Sequence, residues 1–255
     1  MSRNEAVCLL PPCAQSKWAY FLDVDGTLID HTENMDDVRV SSELRLMLEN
    51  LRARCQGAVA LVSGRKLQQL RELFDIDGIA LVGQNGLEGC ESNGGMWRQA
   101  GFPEEVHQRL QTRLRAILKI YSQPLLEDKG LMMTLHCRSM SMPYMQGVLL
   151  PLINRMVDQC NKEAGQVVVG LGKRGLDLMP SQSGKAHSVA WLLSTPQFSG
   201  RSPVFIGDDW ADESAFAEIN RRQGVSIKVG TGTTHAKYAL ENVSQVLIWL
   251  AGVAD

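Results

Sequence analysis

The chain has 255 residues, 44% of them hydrophobic, and 26 basic against 28 acidic side chains leave a formal net charge of -2. That length can bury one large core or two modest ones, while the near balance of charge excludes the footprint of a nucleic-acid binder or a polybasic membrane patch. Six cysteines, at 8, 13, 55, 90, 137 and 160, form no Cys-x-x-Cys pair, and no apolar run reaches membrane-spanning length; this points away from zinc and disulfide scaffolds and towards a cytoplasmic protein with reduced thiols and no signal peptide.

Residues 1 to 16, with Pro11 and Pro12, read as an irregular arm. Trp18 to Leu22 is an apolar run too short for a typical helix and suited to a strand buried on both faces of a parallel sheet. At its carboxyl end stand Asp23 and Asp25, then Gly26 and Thr27. In open α/β sheets that edge is where ligands bind. Two carboxylates so close repel each other, and a cation beside them relieves the cost; Asp and Gly are also ordinary turn formers. After a polar stretch from His31 to Asp37, Ser41 and Ser42 offer an N-cap. Leu44, Met47, Leu48 and Leu51 then fall at helical spacing, and Gly57 permits the reversal. Ala58 to Val62 is a second buried strand running into Ser63, Gly64 and Arg65. A hydroxyl and backbone N–H groups there can receive an anion, or Ser63 can cap the helix carrying Leu67, Leu70 and Leu73.

Ile79 to Val82 reads as a third strand. The alternation of strand and helix then breaks: Asn93-Gly94 is a hairpin signal, and Met96-Trp97 is a returning strand leading into a second unit. Within it the apolar spacing of Val106, Leu110, Leu114, Ile117 and Leu118 predicts a helix. Met132 to Arg138 reads as a strand with His136 and Arg138 on one face, and a helix through Met145, Leu149 and Met156 starts or bends at Pro151. Short strands around 167–169 and 176–178 flank a Gly-rich turn. Helices on one face of a small sheet suit an α+β layer, placed at 90–182, leaving 1–89 and 183–255 as the core.

The parallel rhythm resumes with Lys185 opening a helix. Pro203 to Ile206 is a buried strand ending in Gly207, Asp208, Asp209 and Asp212; a strand at 225–229 and a helix at 243–250 close the chain. Asp23 and Asp208 are the natural carboxylate pair for Mg2+, which takes oxygen ligands and keeps several waters. The acids after Gly207 also suit a helix cap, favoured by the helix dipole. Four pieces at three strand ends and one helix start are more than capping requires.

Asp23-Val24-Asp25-Gly26-Thr27-Leu28, then Ser63, Lys185 and Gly207-Asp208-Asp209, resemble in order the four signatures of the haloacid dehalogenase-like phosphatases, with the insert where their larger cap lies. The resemblance implies a Rossmann-like α/β core with an inserted α+β cap domain. It also implies phosphoryl transfer through an aspartyl-phosphate on Asp23, with Asp25 as acid and base. Mg2+ is then held by Asp23, Asp208 and the main-chain carbonyl of Asp25, while Ser63, Gly64, Arg65 and Lys185 hold phosphate and Asp212 orients Lys185 or a metal-bound water. Gly207 to Phe216, Val62 to Arg65 and Lys228 to Thr234 are most similar to the trehalose-6-phosphate phosphatase branch of that superfamily. That branch implies a trehalose-phosphatase of trehalose biosynthesis, with Glu127, Lys129, His136, Arg138 and Asp177 gripping sugar hydroxyls. His136 is equally readable as a satisfied strand histidine.

Three departures keep neighbouring substrates open: Asn85 stands where the branch has His, Asp177 and then Gly184-Lys185-Ala186 where its cap-to-core junction has Glu and then Ser-Lys-Gly, and Ala211 where it has Thr. The alternatives are a phosphatase of mannosyl-3-phosphoglycerate or sucrose 6-phosphate and, more distantly, a phospho-accepting signalling domain, against which Asp25 and the insert speak. The expected partner is a small-molecule sugar phosphate, with no nucleic acid, no membrane and a monomeric state.

Overall fold

The computed structural model describes residues 9–32, 38–121, 124–137, 139–164 and 167–253, with backbone alone at 162–164. The chain divides into two compact units, one of residues 1–98 and 184–255, the other of residues 99–183.

The first unit is built on an eight-stranded sheet. Beside β11 (Val225–Val229), in which Ser226 and Lys228 alternate with apolar residues, four buried apolar runs form its centre: β1 (Ala19–Leu22), β2 (Val59–Val62), β3 (Ala80–Gly83) and β10 (Pro203–Gly207). A strand covered on both faces has no use for polar alternation, which is why these segments read as continuous hydrophobic stretches. The order is β12-β11-β10-β1-β2-β3-β4-β5, parallel from β12 (Tyr238–Leu240) through β3 and antiparallel over β4 (Glu88–Cys90) and β5 (Met96–Arg98). One face, with Tyr20, Leu22, Leu61 and Ile206, packs on α1 (Ser42–Arg54), α2 (Leu67–Phe74) and α8 (Val243–Ala251). The other, with Phe21, Ala60, Val82 and Phe205, packs on α6 (Lys185–Leu192) and α7 (Trp210–Arg221). Ser41 caps α1, its Oγ accepting the Leu44 N–H at 3.2 Å.

The Asn93-Gly94 hairpin lies in this sheet, because β4 pairs with the edge of β3 and carries β5 with it. Residues 90–98 therefore belong to the first unit, and the division falls after Arg98, later than the boundary at 90 read from sequence.

The second unit is an antiparallel sheet, β6-β7-β9-β8: β6 (Leu125–Asp128), β7 (Met133–His136), β8 (Val167–Gly172) and β9 (Gly175–Pro180). One face buries Met133, Leu135, Leu176 and Leu178 with Val106, Leu110 and Leu114 of α3 (Glu104–Leu118) and with Ile153 and Val157 of α5 (Leu150–Ala164). A single turn, α4 (Met142–Tyr144), runs through a π-helical turn at Met145–Leu149 into α5. Pro151 has no N–H for the Gly147 carbonyl, and the helix widens just before it. No helix among the described residues is long and apolar enough to cross a membrane.

Candidate active site

Register alone gathers the first residues. Leu22 pairs with both Ile206 and Leu61, so the residues that follow β1, β10 and β2 leave the sheet at one edge. The Asp23 N–H extends the ladder to the Ile206 carbonyl at 2.9 Å. Gly26 then turns the chain at φ +87°, a conformation costly for any residue with a Cβ. A Cβ there would lie 2.3 Å from Asp208 Oδ2.

Lys185, at the start of α6, joins the acids. Its Nζ donates to Asp23 Oδ1 and to Asp212 Oδ1, each at 2.6 Å. Asp212 Oδ2 accepts the N–H groups of Asp208 and Asp209, each at 2.9 Å. Thr27 Oγ1 donates to Asp23 Oδ2 at 3.1 Å, and Lys228 Nζ donates to the Asp208 carbonyl at 2.6 Å. Asp23, Asp208, Asp212 and Lys185 are all buried. Burial pushes the Asp23 carboxyl well above the usual carboxylate range, and Asp212 and Asp208 add to the rise, while Lys185 opposes it. Burial also disfavours the Lys185 ammonium, but Asp212 and Asp23 outweigh it, so its pKa is raised and the amine stays charged.

Ser63 and Arg65 follow β2. Ser63 Oγ accepts the Arg65 N–H at 3.1 Å, and α2 is capped at Lys66, so Ser63 is not its cap. The Arg65 guanidinium forks onto Asp25, Nε donating to Oδ2 at 2.7 Å and Nη2 to Oδ1 at 2.6 Å. Gly64 approaches Asn85, whose Oδ1 would be 3.3 Å from a Cβ at that position.

In the second unit, β6, β7 and β9 align Glu127, Thr134 and Asp177 across the sheet, with His136 two residues beyond Thr134 on the same face. Glu127 Oε2 accepts from His136 Nε2 at 2.8 Å and lies 3.7 Å from the Lys129 ammonium. Asp177 Oδ1 accepts from Thr134 Oγ1 at 2.7 Å. Arg138, the remaining residue read from sequence on this face, lies outside the described residues.

Three residues around the site had no role assigned from sequence. His31 Nε2 lies 3.0 Å from Asp208 Oδ2. Glu88 Oε1 accepts from Gln84 Nε2 at 2.8 Å and from the Leu67 N–H at 2.9 Å, fastening the turn after β3 to the start of α2. Lys228 was noticed only as part of a motif. The Gly83-Gln84-Asn85-Gly86 run was a visible signal for the second, since Gln84 and Asn85 both take positive φ; nothing local marked the first.

The carboxylate oxygens of Asp23, Asp208 and Asp212 lie within 4.8 Å of one another. Three buried acids against the ammonium groups of Lys185 and Lys228 leave an excess of negative charge, and hard oxygen donors so grouped suit a hard divalent cation such as Mg2+. Asp212 is turned onto Lys185 and two backbone amides; Asp23 and Asp208, directly after β1 and β10, are the carboxylates that could hold it.

This fold recurs in solved structures. A haloacid dehalogenase-like hydrolase from Bacteroides thetaiotaomicron superposes with a TM-score of 0.62 over 91% of this chain and 97% of that one, at 18% identity. The C-terminal domain of the C. albicans trehalose-6-phosphate phosphatase does so with a TM-score of 0.81 over 92% of each chain, at 19% identity. The α/β core therefore has the haloacid dehalogenase-like fold. Sequence narrows it: the trehalose-phosphatase family model matches residues 21–244, and the trehalose-6-phosphate phosphatase of Escherichia coli K12 is 33% identical over 239 residues, 94% of this chain and 87% of that one. The chain belongs to the trehalose-phosphatase family.

Proposed function

We propose that this chain hydrolyses trehalose 6-phosphate to trehalose and phosphate through a covalent phosphate on Asp23. The observation that carries the chemistry is the buried Lys185 ammonium holding Asp23 and Asp212 beside Asp208 at the carboxyl edge of the sheet. Family membership and the name of the E. coli relative support the substrate.

An oxygen of Asp23 bonds to phosphorus as the ester bond breaks, and the departing sugar oxygen takes a proton from Asp25. Water then attacks the carboxyl-phosphate, Asp25 takes its proton, and Asp23 returns as a carboxylate. Both oxygens of Asp25 accept from Arg65 here, so proton delivery requires one of those bonds to open. Lys185 opposes protonation of the nucleophile between two further acids and, with the Ser63 hydroxyl and the backbone of Gly64 and Arg65, holds the transferring phosphate as a fixed charge. Asp23, Asp208 and the Asp25 carbonyl would hold Mg2+, which would supply neutralisation of charge on the phosphoryl oxygens. Sugar hydroxyls need donors and acceptors together; Glu127, Lys129, His136 and Asp177 offer both, and Arg138 is assigned with them from sequence.

Phosphate release in Mg2+ from trehalose 6-phosphate, sucrose 6-phosphate and mannosyl-3-phosphoglycerate tests this reading. Trehalose 6-phosphate is expected to give the highest kcat/KM, and D23N to lower it by on the order of a thousandfold or more. A preference for another ester overturns the substrate; an active D23N overturns the mechanism.

A further inference from the structure

The turn after β1 brings back a residue with no place in the mechanism above. The Val24 carbonyl accepts N–H groups from Thr27, Leu28 and Ile29, and the Gly26 N–H donates to Ile29 at 2.7 Å. The chain so doubled returns His31 to the carboxyl edge of the sheet. Its Nε2 stops 3.0 Å from Asp208 Oδ2. Gly26 leaves the room for this meeting, since a Cβ there would lie 2.5 Å from His31 Nε2 and 2.3 Å from Asp208 Oδ2. The Asp208 side chain is 2% exposed and that of His31 28%.

An ionised carboxylate only accepts, so this contact is a hydrogen bond in the ring forms that carry a proton on Nε2. A nitrogen bearing a proton and aimed at a carboxylate oxygen is not itself a metal ligand. It fixes the carboxylate instead. Asp208 is thereby held at three points: its N–H on Asp212, its carbonyl under Lys228, and one carboxylate oxygen under His31. We infer that His31 is a positioning residue that presets the Asp208 carboxylate for the divalent cation, and so sets the cation affinity of this chain. Outer partners that hold ligating groups typically contribute 10–100-fold in metal affinity. The inference rests on the Asp23–Asp208 pair being the cation site.

Calorimetric titration of the whole protein with Mg2+ tests it, comparing wild type with H31A and with H31Q, whose side-chain amide carries a donor of similar reach. H31A is expected to bind Mg2+ about 10–100-fold more weakly, the Mg2+ concentration for half-maximal phosphate release is expected to rise by the same factor, and H31Q is expected to recover most of the loss. H31L, which keeps bulk and lacks the donor, replaces H31A should that variant fail to fold. Equal or tighter binding by the donor-less variant, or no recovery by H31Q, overturns the inference and leaves the cation site standing. Absence of Mg2+ binding by wild type overturns both.

Discussion

At the scale of single residues, Lys185 decides the charge balance of the site. Burial works against its ammonium, yet Asp212 and Asp23 raise its pKa. The stability this contributes is complete below the unfolded value and is lost only as pH rises through the raised folded one. Asp23 runs the other way: with its pKa raised by burial and neighbouring acids, its neutral form suits the fold, and stability falls as pH rises from the unfolded value to the raised one. Removing the ammonium in K185M leaves two buried acids facing each other, a loss of about 3–5 kcal/mol. In metal-free buffer K185M is expected to melt well below wild type near neutral pH, and the gap is expected to narrow on acidification as Asp23 takes a proton. A gap that stays constant with pH contradicts this account. Lys185 was legible in sequence because it opens a helix next to a strand-and-acid pattern. The Arg65 fork on Asp25, across 40 residues, and His31 on Asp208, across 177, were not. Both depend on where tight turns aim long side chains, and no local periodicity encodes that.

At the scale of elements, strands carry the acids and helix starts hold them. Asp209 caps α7, accepting the Trp210 N–H at 2.7 Å, and Asp212 completes a reciprocal capping box. The first turn of α7 thus sets Asp212, which sets Lys185. D209A is expected to cost about 1 kcal/mol, seen as a melting temperature lower by about 2–4 °C, with a several-fold lower kcat for phosphate release. An unchanged melting temperature would rule out the cap. Strands β1, β2 and β10 were legible because burial on both faces leaves unbroken apolar runs. β12 was not, since Tyr238–Leu240 is three residues long and its pairing with β11 makes it a strand. The Asn93-Gly94 hairpin was readable as a turn, but its sheet is decided by the pairing of β4 with β3, which a turn signal does not specify.

At the scale of the whole molecule, a parallel sheet with helices on both faces brings groups distant in sequence to one edge, and an antiparallel α+β unit with its own core is inserted between β5 and α6. The change in rhythm from buried runs to mixed segments made the insertion visible in the sequence. Convergence of Asp23 and Asp208 was visible for the same reason, each standing at the end of such a run. The central claim is that Asp23 becomes phosphorylated during turnover. Acid-quenching the enzyme during turnover of trehalose 6-phosphate, reducing the acyl phosphate with borohydride and mapping the peptides by mass spectrometry tests it most directly. The account predicts reduction of the carboxyl at Asp23 to an alcohol, dependent on substrate and absent from D23N; turnover with an unmodified Asp23, or with the modification on another residue, would contradict it.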